Sequence, residues 1–379
     1  MSEDDESAEP TAGADEAERP NAGADESAEP TAGADEAERP NAGADESAEP
    51  TAETDEAAGL TYAEAGVDID ASEVATAALI GAAGEFEGDF AGLVDIGDRY
   101  LALATDGVGT KLLVAEAVGD YSTVGIDCIA MNVNDLVAAG VEPVAFVDYL
   151  AVEAPDDETS EAIGEGLDEG ARRADVALAG GEYAVMPDVI KGLDIAGACA
   201  GLAPKDALFP GTAEPGDLLV GWPSSGVHSN GLTLAREAVT REHAYTDPFP
   251  PAPDRTIAEE LLTPTRIYTD LLDPLRAHGA HAAAHVTGGG WTNLLRMGER
   301  RYEITDPFDA PAVFGFVQSE GDVTDAEMHR TFNMGTGFVA ALPEDEARAA
   351  AEATDDGRVI GRVEDGDGAV AVRGLELTE

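Results

Sequence analysis

From Glu6 to Asp45 two decapeptides alternate, ESAEPTAGAD and EAERPNAGAD, and ESAEPTA then begins again. The period is 20 residues, with a weaker period of 10. The repeat holds no aromatic residue and no Leu, Ile or Val, and every ten residues carry a proline. Such a segment cannot bury enough apolar surface to offset the entropy of ordering it. A stacked solenoid would need apolar positions as well. Residues 1–58 are therefore expected to be a disordered acidic tail, with an acidic interaction arm as the functional alternative. The fold must be built from residue 59 onward.

Acidity does not stop at the tail. The chain carries a formal charge of −57. Residues 1–58 hold 20 acids and 2 arginines, or −18; the other 321 residues hold 58 acids and 19 bases, or −39. An anionic surface repels nucleic acid and anionic lipid, so neither is expected as a partner. Only three lysines remain, Lys111, Lys191 and Lys205, while Ala, Gly and Val abound. That pattern points to a solvent of high salt, where screening shortens repulsion to a few Å. No apolar run approaches the roughly 20 residues of a membrane helix. The N-terminus lacks the basic and apolar stretches of a secretory signal. Cys128 and Cys199 lie in apolar surroundings and are expected as buried free thiols in a reducing cytoplasm.

After residue 59 strand-like and helix-like segments alternate. RYLALAT, PVAFVDYLAV, VALAGG and LDIAGACAGLA read as strands. STVGIDCIAMNVNDLVAAG reads as a helix capped by Ser122 and ended by Gly140, with Ile126, Ile129, Ala130, Val133, Leu136 and Val137 on one stripe. AEPGDLL marks a boundary near Gly211. Beyond it LLVGWP, AHVTGGG, TGFVAAL, GRVIGRVE and AVAVRGLEL alternate with SNGLTLAREAVTRE and EDEARAAAEA. The expected architecture is α+β, with two α/β domains at 59–211 and 212–379.

TDGVGTK ends a strand and opens a helix. Gly107 and Gly109 let the backbone approach a ligand, and helix-start N–H groups near Thr110 favour an anion. Lys111 adds a positive charge and Asp106 a hard oxygen ligand. The glycine spacing is not that of a P-loop, and a plain turn with a surface lysine accounts for it too. In the helix, Asp127, Met131, Asn134 and Asp135 share the side away from the apolar stripe. A solvated face is the ordinary reading; its low charge for this chain favours a covered, functional one. Glu182 follows a strand and two glycines. Asp106, Asp135 and Glu182 thus offer three carboxylates to Mg²⁺ beside phosphates. PSSGVHSNG gathers Ser225, Gly226, His228, Ser229 and Asn230 before a helix. AHVTGGG offers His285, Thr287, Gly288, Gly289 and Gly290, and three adjacent glycines imply a backbone lying against something.

The combination and order of these motifs closely resemble the phosphoribosylformylglycinamidine cyclo-ligase (aminoimidazole ribonucleotide synthetase) family. The matching runs are YAEAGVDID (62–70), TDGVGTKL (105–112), GIDCIAMNVNDLVAAGVEP (125–143), LAGGE with MP (178–187), DIAG (194–197), SSGVHSNG (224–231), LLTPTRIY (261–268), AHVTGGG (284–290) and HRTFNMGTGF (329–338). The resemblance covers all but the tail. It implies ATP-dependent ring closure of formylglycinamidine ribonucleotide, releasing aminoimidazole ribonucleotide, ADP and phosphate. Activation would phosphorylate the formyl-derived amide oxygen before a ring nitrogen attacks that carbon. The resemblance further implies a homodimer paired through N-terminal domains, with nucleotide sites at that interface. Asp106, Gly107, Gly109, Thr110, Lys111 and Asn134 would then serve ATP; Lys111, His228 and Asp135 would be catalytic; the two glycine-bearing loops would take the substrate.

GGEYAVMPD departs from the family pattern GGETAEMPG: Tyr183, Val185 and Asp188 replace Thr, Glu and Gly, while Glu182 stays. The alternatives are another ATP-using relative, such as thiamine-monophosphate kinase, or a non-catalytic nucleotide-binding scaffold.

Overall fold

The computed structural model describes residues 59–67 and 91–378. The expected disordered tail and residues 68–90, which include the end of YAEAGVDID, lie outside the described residues. Five strands make the first sheet: β1 (Gly92–Asp95), β2 (Arg99–Gly107), β3 (Glu142–Val152), β4 (Ala177–Val185) and β5 (Leu193–Pro204), in the order β1-β2-β5-β3-β4. In β5 Ile195, Gly197, Cys199, Gly201 and Ala203 are buried and the residues between them are not, the period of a strand with one face covered.

Among the described residues three helices belong to this half: α1 (Lys111–Val118), α2 (Val124–Ala138) and α3 (Asp157–Ala174). The last two cover the sheet. They approach closely because glycines face each other: a Cβ at Gly125 would lie 2.3 Å from the Leu167 nitrogen, and one at Gly166 3.2 Å from the Gly125 Cα. Every residue of α2 except Asp135 is buried, so its polar side is covered rather than solvated. Ser122 is not its cap. The N-cap is Thr123, whose hydroxyl donates to the Leu262 carbonyl, while the Ser122 hydroxyl turns back to Asp120. Gly140 ends the helix at φ 74°, with Val141 N–H bonded to the Leu136 carbonyl at 2.8 Å. The α3 helix carries its own start and stop signals: Asp156 accepts the Thr159 N–H, and Arg172 and Arg173 occupy the last turn. The other face of the sheet stays open, with Val94, Leu103, Val147 and Tyr149 between 43% and 49% exposed.

The second sheet has seven strands: β6 (Leu218–Pro223), β9 (Ala282–His285), β10 (Arg301–Ile304), β11 (Thr336–Leu342), β12 (Arg358–Glu364), β13 (Ala369–Val372) and β14 (Leu375–Leu377), in the order β14-β13-β10-β12-β6-β11-β9. A small hairpin, β7 (Pro248–Phe249) and β8 (Ala252–Thr256), stands apart. Around them run α4 (Leu232–Val239), α5 (Ile257–Leu261), α6 (Leu272–Ala277), α7 (Ala312–Gly321), α8 (Asp325–Thr331) and α9 (Glu344–Glu352). Strand β11 is buried throughout, which its unbroken apolar run requires. Trp222, Tyr268 and Phe338 form an aromatic block on one side of this sheet. The buried polar side of α2 faces the loops between the two sheets, and there the sequence motifs meet.

Candidate active site

The turn TDGVGTK runs from the end of β2 to the first residue of α1, with Gly109 at φ 68°. β1 pairs with β2 only as far as Leu103. The Asn132 side chain of α2 then stands in for a strand: its Oδ1 accepts the Asp106 N–H at 2.9 Å and its Nδ2 donates to the Asp106 carbonyl at 3.1 Å. Asp106 is held half-buried near Asp135. Burial, and then the Asp135 charge, push its carboxyl up to about 6.

Lys111 does not sit on the surface of the turn. Its side chain is fully buried, with Nζ 2.7 Å from Asp127 Oδ2 and donating to the Thr263 carbonyl at 2.7 Å. Asp127 accepts the Thr265 N–H at 2.7 Å and the Thr265 hydroxyl at 2.6 Å. Burial lowers the Lys111 pKa and Asp127 opposes the shift. The cause lies in α2: Asp127 falls on its covered side and would otherwise be a buried charge without a partner. The expected phosphate-facing lysine is instead the internal counter-ion that ties the turn to residues 263–265.

A second chain of bonds orients Asp135. The Tyr268 N–H donates to Asn134 Oδ1 at 2.9 Å, which leaves the Asn134 Nδ2 as donor to the Arg266 carbonyl at 2.9 Å and to His285 Nε2 at 3.3 Å. His285 Nε2 must then be unprotonated, so the proton is on Nδ1 and donates to Asp135 Oδ1 at 3.1 Å. Asn134, expected among the ATP ligands, spends its amide on the loop and the histidine.

The two glycine-bearing loops converge on the same place. Asn230 Nδ2 lies 3.7 Å from the Met131 sulfur of α2, and a Cβ on Gly288 would stand 3.0 Å from Asn230 Oδ1. Ser229 meets the Thr265 hydroxyl at 3.3 Å, and Thr110 meets the Thr233 hydroxyl at 2.9 Å. Thr287 donates its N–H to Asn293, and Gly290 packs so closely that a Cβ would come 2.3 Å from the His329 carbonyl. His228 is held at φ 66°, a costly conformation for a residue with a Cβ. Its Nε2 accepts the Ser225 N–H at 3.1 Å, while its buried Nδ1 has no protein partner. Burial, aided by the charges of Lys111 and Arg266, drops its pKa well below the ordinary value. It is a neutral imidazole with an Nδ1 proton to offer.

Glu182 is not with the other two carboxylates. Asp106, Gly197, Asp148 and Gly181 stand in one cross-strand row, whereas Glu182 shares a row with Tyr149, Ala196 and Gly107. Adjacent rows point to opposite faces, and three strand spacings amount to roughly 14 Å. Among the described residues no three His, Cys, Asp or Glu side chains are grouped to hold a metal. Within one chain the expected triad therefore reduces to Asp106 and Asp135, with Glu182 on the open face of the sheet.

The residues that hold these loops carry little signal in the sequence. Asn333 accepts the Ser224 hydroxyl and donates to the Gly226 carbonyl, fixing the His228 loop from 107 residues away. Thr265 and Arg266 carry no spacing signal of their own. Asn132 could have been found: it lies one helical turn beyond Cys128, whose carbonyl it also binds.

Two sheets with their helices, with two glycine-bearing loops meeting the polar side of α2 between them, define an AIR-synthase-related protein. The sequence matches the N-terminal domain of AIR synthase related proteins over residues 88–203 and the C-terminal domain over 214–373. It is 48% identical over 316 residues to the phosphoribosylformylglycinamidine cyclo-ligase of Methanosarcina acetivorans, covering 80% of this chain and 95% of that one. The cyclo-ligase of Methanococcoides burtonii is 46% identical over 330 residues, covering 84% and 98%. The thiamine monophosphate kinase of Aquifex aeolicus, a solved structure, shares the fold at a TM-score of 0.60 and 18% identity, covering 83% of this chain and 100% of that one. The chain belongs to the phosphoribosylformylglycinamidine cyclo-ligase family.

Proposed function

We propose that this chain is a phosphoribosylformylglycinamidine cyclo-ligase of purine biosynthesis, closing the imidazole ring of formylglycinamidine ribonucleotide at the expense of ATP. The observation that carries the reading is identity of 48% along 95% of a curated cyclo-ligase. The residues of this site suit the reaction. It needs no covalent protein nucleophile; it needs oriented donors and charge placed where phosphate transfers. His228 offers its buried Nδ1–H to a substrate oxygen. His285 fixes one oxygen of Asp135 and leaves the other for a ligand. The glycine backbones at 107–109 and 288–290 allow close approach of phosphate and ribose. Lys111 acts through Asp127 and the loop it holds, as a positioning residue.

Asp106 and Asp135 fit a divalent cation: two neighbouring carboxylates, one with its pKa raised by burial and by the other, lack a counter-charge. Mg²⁺ would be held there together with phosphate oxygens and would neutralise their charge. We read the open face of the first sheet, with Val94, Leu103, Val147 and Tyr149, as the pairing surface of a homodimer. Glu182 would then face the partner, and the nucleotide would lie where the two copies meet. Residues 59–211 and 212–379 are taken as the two domains, in a cytoplasm of high salt.

The test is purified protein in molar salt with ATP, Mg²⁺ and formylglycinamidine ribonucleotide, and a parallel reaction with thiamine monophosphate. Aminoimidazole ribonucleotide and ADP should form in the first and no thiamine diphosphate in the second. The reverse result would transfer the chain to the kinase reading.

A further inference from the structure

The arrangement that holds residues 263–268 is more elaborate than a linker requires. Within six residues, the Thr263 carbonyl, Thr265 N–H, Arg266 carbonyl and Tyr268 N–H all bond buried side chains of α1 and α2. One of those side chains belongs to a buried ion pair, an expensive way to fix a loop. The loop forms one wall of a cavity of about 430 Å³, and the last turn of α3 contributes to the other. Arg173, Ser225, Thr263, Arg266 and Thr269 line it.

Arg266 is the group the loop presents. Its guanidinium lies over the Tyr268 ring at 5.3 Å, and its own polar contacts are long: 3.4 Å to the Pro223 carbonyl and 3.6 Å to the exposed Asp356. Most of its fork is uncommitted. Arg173 is tied to Glu169 at 2.7 Å but reaches the same rim. One acid, Asp270, also lines the cavity; burial raises its pKa and Arg266 lowers it. Two arginines on one cavity are notable in a chain of net charge −57, whose general field repels anions. The cavity is joined to the active site through Ser225: its hydroxyl donates to the Pro264 carbonyl at 2.6 Å, and its N–H holds His228.

We infer that this cavity is a phosphate-monoester subsite, and that on the cyclo-ligase reading it takes the 5′-phosphate of the ribonucleotide rather than the phosphates of ATP. A planar guanidinium fork matches a phosphate's oxygens. The rigid loop gives the fork a fixed place, so that the rest of the substrate extends toward His228.

Steady-state kinetics of the full chain test this, with Arg266→Gln, Arg266→Lys and Asp270→Asn beside wild type, and ribose 5-phosphate as probe. In Arg266→Gln the KM for the ribonucleotide should rise about tenfold or more, the loss of one charged hydrogen-bonding group, while the KM for ATP stays within about twofold. Arg266→Lys should recover only part of the loss. Asp270→Asn should lower the KM for the ribonucleotide, a direction that mere loss of structure would not give. Ribose 5-phosphate, but not ribose, should compete with the ribonucleotide, and Arg266→Gln should weaken that competition. An unchanged ribonucleotide KM in Arg266→Gln, or a rise in the ATP KM instead, overturns the subsite. Titration of ribose 5-phosphate into wild type by calorimetry separates this outcome from failure of the ring-closure reading, since it needs no turnover.

Discussion

At the scale of single residues, two ionisable groups behave against their usual type. Lys111 is buried with Asp127 and serves as an internal counter-ion. Lys111→Met would leave Asp127 buried and unpaired, and the expected loss is about 3–5 kcal/mol in a denaturant titration. Lys111→Arg must force a larger, planar group into the same space and should lose about 1–3 kcal/mol. A surface lysine would give neither. Asp106 is the opposite case, an acid without a counter-charge. Its folded pKa, about 6, lies above the ordinary 3.8, so the folded state holds its proton more tightly than the unfolded state does. Its contribution to stability is full below pH 3.8 and is lost as pH rises through 6. The loss is on the order of 2–3 kcal/mol, and Asp106→Asn should remove this pH dependence and be the more stable form at pH 7.5 without Mg²⁺. If thermal melts of the variant and wild type keep the same difference from pH 4 to 8, Asp106 is not so perturbed. His228, held neutral, should contribute no step to the activity profile near pH 6.5, where an ordinary histidine titrates.

At the scale of elements, the α2 helix carries most of the design. Its sequence displays an apolar stripe and a polar side, and the stripe alone was legible as core. What the polar side does could not be read from spacing, because its partners lie more than 100 residues away: Thr265 for Asp127, and Tyr268, Arg266 and His285 for Asn134. Most long strands were legible, but β1 and β10 were not read, and AVAVRGLEL, read as one strand, is β13 and β14 joined by a turn at Arg373 and Gly374; SSGVHSNG and AHVTGGG were legible as loops through their glycines. The α3 helix, rich in Glu and Gly, hid its core stripe among charges although Asp156 and Arg173 mark its ends. Glu182 was misplaced because sequence order cannot tell on which face of a sheet a residue emerges; a one-residue step in register decides it. Asn132 offers an element-scale test. Asn132→Ala would strip both partners from the Asp106 backbone, leaving the end of β2 frayed and the fold weaker by about 1–3 kcal/mol. Hydrogen exchange at the Asp106 amide should accelerate while that at Ala102, enclosed between β1 and β5, stays slow. Equal acceleration at both would mean that Asn132 supports the whole sheet.

At the scale of the molecule, charge and assembly dominate. A body carrying −39 outside its first 58 residues should repel itself in dilute buffer and gain stability with salt, as screening shrinks the Debye length to about 3 Å at 1 M. Melting temperature against KCl should climb steeply to molar concentrations; a flat or falling curve would detach the composition from the solvent. Removal of residues 1–58, which carry no apolar position of the kind a core uses, should leave turnover intact. The exposed apolar face of the first sheet should be covered in solution, so sedimentation is expected to find a dimer, and Val147→Glu should release monomers. On the cyclo-ligase reading the chain couples ATP use to ring closure. The most direct measurement is the ratio of ADP to aminoimidazole ribonucleotide formed by the full chain in molar salt with Mg²⁺ and formylglycinamidine ribonucleotide. One ADP for each ring closed, and no ADP without the ribonucleotide, is the expected result. ADP released at the same rate whether or not the ribonucleotide is present, with no aminoimidazole product, would contradict it.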